Sequence, residues 1–134
     1  MKKSLKNLAV ASREVEVSYP SNPNFKVRLR YTGRSMLRDI IKRSTKTRIN
    51  SNLETEQYLD TEALNAIYSR EVIIGWSGLT KDVLSTLILI DESAMEDGEE
   101  LDYSPEDAEF LLSESVPFDK FVNTAMSNLD TFRE

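Results

Sequence analysis

The 134-residue chain has no cysteine and no histidine. Those two absences exclude disulfides, thiolate nucleophiles, imidazole acid–base catalysis and zinc sites of the usual nitrogen or sulfur kind. Glycine is scarce too. Only four occur, at positions 33, 75, 78 and 98, and neither a dinucleotide-binding fingerprint nor a P-loop can be assembled from them. Nucleophile-elbow, kinase and zinc-protease motifs are also missing. Carboxylates are plentiful, but they cluster in a loop-like segment without an aromatic cleft, so carboxylate-only chemistry such as glycoside cleavage is the weaker reading. No apolar run approaches the roughly 20 residues of a membrane span. The basic start, "MKKSLKNLAV", has its apolar stretch broken by Lys6 and Asn7, unlike a signal peptide. These absences point to a cytosolic protein with no cofactor, no metal and no membrane contact.

What the chain has in quantity is charge, segregated by sign. Residues 1–50 hold 13 Lys and Arg against 3 Asp and Glu, a net +10, whereas residues 51–134 hold 4 against 20, a net −16. Pairing between the halves, or between subunits of a homo-oligomer, is favoured over contact with a polyanion, because the acidic half would repel a phosphate backbone. At this length one compact domain is expected.

Val15, Val17 and Tyr19 alternate with Glu14, Glu16 and Ser18, and Phe25, Val27, Leu29 and Tyr31 alternate with Lys26, Arg28, Arg30 and Thr32. Both runs have the period of half-buried strands, and "PSNPN" between them makes a β-hairpin. After Gly33, Met36, Leu37, Ile40 and Ile41 mark a short helix whose outer stripe is Arg34, Arg38 and Lys42. Residues 1–12 read as a flexible segment, 13–44 as the hairpin plus helix, 45–55 as a linker or loop, and 56–134 as a mainly helical acidic part. Asp60 is suited to cap a helix that ends at Gly75. Trp76 is then expected to pack inward and fix the chain's exit from that helix, the alternative being a ring presented to a partner. Thr86 to Ile90, rich in β-branched residues, reads as extended or mixed and is a candidate third strand.

"ESAMEDGEELD", residues 92–102, is an acidic loop. Counted from Asp91 as an EF-hand, it puts Met95 at a ligand position and Gly98 out of place, so a solvated loop is the reading. "YSPEDAEFLL" then announces a helix, with Ser104 to cap, Pro105 at the first helical position, and Glu106 and Asp107 at the positive end of the dipole. Beyond Pro117, residues Phe118, Phe121, Val122, Ala125, Met126, Leu129 and Phe132 recur as one apolar helical stripe. The fold class is therefore α+β, an N-terminal β-hairpin or small antiparallel sheet followed by a mainly helical C-terminal portion with about four helices overall.

Three segments, "REVIIGWSGL", "LDYSPEDAEFLL" and "FDKFVNTAMSNLDTF", resemble in order a family of tail assembly chaperones of long-tailed bacteriophages. The positions that match are Gly75, Trp76, Gly78, Tyr103, Ser104, Pro105, Ala108, Phe118 and Phe121. The segment between Leu79 and Tyr103 departs from the family pattern in length and charge. The resemblance implies a non-enzymatic role in the host cytoplasm, coating the hydrophobic tape-measure protein and recruiting tail-tube protein during assembly. Trp76, Leu79, Phe118, Phe121, Val122, Met126 and Phe132 are the candidate partner-contacting residues, and Tyr103, Ser104, Pro105 and Ala108 the helix-start motif. Two other classes stand beside it. One is a small virion structural protein of the tail or connector. The other is a nucleic-acid-binding regulator using the basic half, weakened because Phe25 and Tyr31 alternate away from the basic strand face.

Overall fold

The computed structural model describes residues 4–8, 12–31 and 33–128. Within residues 1–12, expected to be flexible, Leu5–Leu8 forms one helical turn (α1) with Leu5 and Leu8 exposed. β1 (Arg13–Tyr19) and β2 (Asn22–Tyr31) make the expected antiparallel hairpin, running from Arg13 opposite Tyr31 to Tyr19 opposite Asn22. The alternation works as read: Phe25, Val27 and Leu29 are wholly buried while Lys26, Arg28 and Arg30 are exposed. Burying each of those apolar side chains contributes about 1.5–3 kcal/mol. α2 (Arg34–Ser44) follows with Ile40 on its buried side.

Residues 45–55 are not a linker. β3 (Thr45–Ile49) and β4 (Thr55–Leu59) form a second antiparallel hairpin, from Thr45 opposite Leu59 to Ile49 opposite Thr55. Asn50 builds its turn, accepting at Oδ1 from the Asn52 and Glu54 amides at 2.9 and 3.1 Å. Leu53 completes the turn at φ 62°, a left-handed conformation uncommon for a side chain branched like leucine.

α3 (Thr61–Glu71) starts as expected at Asp60, whose carboxylate accepts from the Glu62 and Ala63 amides. It stops before Gly75, however, because the β-branched run from Val72 continues as β5 (Ile73–Ser77). β5 lies antiparallel to β2, with Trp76 opposite Val27 and Gly75 opposite Arg28, so the sheet order is β1-β2-β5. The third strand is thus Ile73–Ser77 and not Thr86–Ile90. The latter region starts inside α4 (Lys81–Leu87), where the helical spacing of Val83, Leu84 and Leu87 buries all three and outweighs the β-branched composition. β5 also joins the segment after α3 to the N-terminal sheet.

The glycine that needs to be glycine is Gly78. It sits at φ 77°, and a Cβ there would lie 2.0 Å from the Asn24 carbonyl oxygen. A 3₁₀ turn (Glu92–Ala94) lies in the acidic segment. α5 (Pro105–Glu114) begins as expected, Ser104 Oγ accepting from the Asp107 amide at 3.1 Å. α6 (Val116–Ser127) is capped by the buried Ser115, whose Oγ accepts from the Phe118 amide at 3.2 Å. No helix among the described residues is long and apolar enough to cross a membrane.

Candidate functional site

β5 places Trp76 at the centre of a run of aromatic rings. Its indole meets Tyr103 edge-on at 5.1 Å and Phe118 at 6.4 Å between ring centroids. Phe118 stacks on Phe25 at 6.3 Å, Phe25 meets Tyr19 at 5.9 Å, and Tyr19 meets Phe121 edge-on at 5.2 Å. Edge-on contacts of this kind add about 0.5–1.5 kcal/mol each beyond area burial. The run starts under the acidic segment and reaches the surface at Phe121.

The polar tips of the inner rings are satisfied. Trp76 Nε1 donates to the Leu101 carbonyl at 3.0 Å. The Tyr103 hydroxyl lies 2.7 Å from both the Ser69 and Ile73 carbonyls, sharing its one proton between the end of α3 and β5. Burial, and then the nearby Glu106 carboxylate, push the Tyr103 phenol above its usual pKa, so it remains the donor this contact requires. These residues lock the segment after the acidic loop onto the sheet. Trp76 is half-buried and packs inward.

The candidate partner residues divide sharply. Leu79, Phe118, Val122 and Met126 belong to the chain's own core, and Phe118 and Val122 are entirely shielded from solvent. Leu79 packs beside the sheet, and the stripe on α6 packs against the sheet, α4 and α5. Among the described residues of that stripe, Phe121 alone remains partly exposed. Phe132 lies outside the described residues. Of the helix-start motif, Ser104 and Pro105 set the cap, Tyr103 makes the hydroxyl bridge, and Ala108 is wholly buried.

Phe121 borders an open groove of about 430 Å³ between the β1–β2 turn and α6. Val17, Tyr19 and Pro20 form one wall, and Pro117, Phe121 and Ala125 the other, with Lys120, Thr124 and Asn128 adding polar edges. Of these, only Phe121 stands among the candidate partner-contacting residues read from the sequence. The two prolines, one in the turn and one in the first turn of α6, were its visible traces, but nothing in the pattern says that they face each other.

Charge is arranged to neutralise the basic strand face locally. Glu14 lies opposite Arg30 and Glu16 opposite Arg28 across the ladder, with Arg30–Glu14 at 3.4 Å and Lys26–Glu16 at 4.0 Å. Arg43 grips Glu71 through two hydrogen bonds of 2.6 and 2.8 Å and also reaches Asp39. That guanidinium holds the Glu71 carboxyl below the ordinary range. Lys46 pairs with Asp60, while Arg48 pairs with Glu56 at 2.7 Å and lies 4.5 Å over the Tyr58 ring. The Asp60 and Glu56 carboxyls are lowered chiefly by these partners. The acidic segment meets a cation at Lys81, 3.5 Å from Asp97. Among the described residues no group of three or more acidic side chains is placed to hold a metal ion. No family model matches the chain, and no match is found among curated proteins or solved structures.

Proposed function

We propose that the chain is a non-enzymatic tail assembly chaperone of the long-tailed phage type, which binds an apolar helical segment of a tape-measure protein and helps bring tail-tube subunits to it in the host cytoplasm. The observation that carries the reading is the open apolar groove ending the aromatic run at Tyr19 and Phe121. Its floor suits one or two large side chains of an amphipathic helix, and its polar edges suit the hydrophilic flanks of such a helix. A shallow surface of this kind fits a holder of many equivalent apolar stretches better than a deep pocket does. The resemblance of the "IIGWSGL" and "DYSPEDAEFLL" segments to that family supports the same client class.

The test is coexpression with tape-measure segments followed by size-exclusion chromatography. Wild type is expected to co-elute with the segment and Phe121→Asp to lose it. Phe110→Asp, at an exposed aromatic on α5, is expected to retain it. Equal retention by wild type and Phe121→Asp removes the groove as the binding site. Persistence of the protein in purified mature particles would instead assign it to the virion.

A further inference from the structure

The β3–β4 hairpin is a sheet of two strands, so each of its strands has an outer edge without a strand neighbour among the described residues. Two backbone bonds fix its ladder: the Asn50 amide donates to the Glu54 carbonyl at 2.9 Å and the Asp60 amide to the Ser44 carbonyl at 2.7 Å. Bonded and non-bonded pairs alternate in an antiparallel ladder, so 46/58 and 48/56 are the bonded pairs between them. Thr55, Gln57 and Leu59 therefore turn their amides and carbonyls away from β3. All three residues are exposed.

An edge of this kind templates another strand. The strand edges differ in how they receive a copy of themselves. Along β3, an antiparallel copy centred on Thr47 sets Lys46 against Arg48 of the other chain. Along β1, a copy centred on Glu16 sets that carboxylate against itself, and the strand ends in a register shift at Ser18/Tyr19. On β5, the Ile73 carbonyl is already taken by the Tyr103 hydroxyl. β4 is different. An antiparallel copy centred on Gln57 sets Gln57 on Gln57, Thr55 on Leu59 and Glu56 on Tyr58, with no like charges directly opposed. Its one charge, Glu56, is already held by Arg48.

We infer that β4 is a homodimerisation edge: two copies of the chain pair Thr55–Leu59 antiparallel about a two-fold axis at Gln57, forming one continuous four-stranded sheet. The register supplies about six main-chain hydrogen bonds from the outward groups of residues 55, 57 and 59. It also extends an uncharged face of Thr45, Thr47, Ile49, Thr55, Gln57 and Leu59 across both copies, which suits a self-complementary contact. An exposed two-stranded hairpin is marginal in water, and two further strands support it.

Sedimentation velocity of the full chain across a concentration series tests this. Wild type is expected to dimerise. Gln57→Pro, which removes an outward amide and leaves the β3–β4 bonds intact, is expected to halve the mass. Thr47→Pro, the equivalent change on the β3 edge, is expected to leave the dimer in place. If circular dichroism shows Gln57→Pro to be unfolded, Gln57→Lys replaces it, setting like charges across the axis with the same expected loss. Because the chain has no cysteine, Gln57→Cys gives a single-thiol protein expected to oxidise to a covalent dimer. A wild type that stays monomeric at every concentration overturns the inference. So does a dimer that survives Gln57→Pro and Gln57→Lys, or a monomer that pairs through β4 only with a different protein.

Discussion

The sheet β1-β2-β5 and the hairpin β3–β4 share backbone geometry and little else. β2 alternates Phe25, Val27 and Leu29 with Lys26, Arg28 and Arg30, and those three apolar side chains have no solvent contact. β3 alternates Thr45, Thr47 and Ile49 with Lys46 and Arg48, and no strand residue of the second hairpin is fully buried. The first region is held by dispersion and apolar burial. The second is held by its ladder, its Asn50 turn, and ion pairs at its base and middle. Period-2 alternation signals a strand only when one face meets a core, because the contrast between faces is what sequence displays.

That contrast can be broken most severely in the first region. Phe118→Ala, at a ring without solvent contact, is expected to lower unfolding free energy by about 3–5 kcal/mol in chemical denaturation. Gly78→Ala is expected to cost about 3 kcal/mol, because the new Cβ meets the Asn24 carbonyl and the backbone is left-handed; a midpoint unchanged from wild type would show that the approach relaxes freely. Tyr103→Phe leaves the Ser69 and Ile73 carbonyls without their shared donor and is expected to cost about 1–2 kcal/mol.

Smaller effects belong to the hairpin. Asp60 and Glu56 titrate below their unfolded values, so their contribution is complete above about pH 4.5 and is lost as the pH falls through the lower folded values. Carboxyl resonances of both residues are expected to titrate below those of the unfolded chain, and with no histidine the thermal midpoint is expected to stay flat from about pH 5.5 to 9. Leu53→Asn relieves a left-handed turn residue that is 87% exposed and is expected to stabilise the hairpin by about 0.5 kcal/mol. Slower amide exchange in β3 and β4, with the core amides unaffected, is the readout.

Where local chemistry decided an element, the sequence displayed it. The Ser104–Pro105 start of α5, the Asp60 cap of α3 and the β1–β2 hairpin all follow from neighbouring residues, and so does the α+β class. β5 was hidden because its pairing partner, β2, is distant in sequence and a mid-strand glycine imitates a helix stop. β3 was hidden because it is polar on both faces. α4 was misread because composition was weighed above the spacing of Val83, Leu84 and Leu87. The groove was illegible for a different reason. It exists only because α6 returns to the β1–β2 turn, bringing Phe121 onto Tyr19, and no periodicity encodes that meeting. The same packing explains why most of the apolar stripe around Phe118 is core: periodicity identifies a buried face without saying what buries it.

The Trp76 indole, tied to the Leu101 carbonyl and set edge-on to Tyr103, is the chain's only tryptophan. Its emission therefore comes from a single address, the seam where the acidic segment rejoins the sheet. Release of that seam by denaturant, mutation or a bound protein would shift the emission toward longer wavelength as the ring meets water. The molecule thus carries its own optical gauge of whether the acidic segment is latched to the sheet.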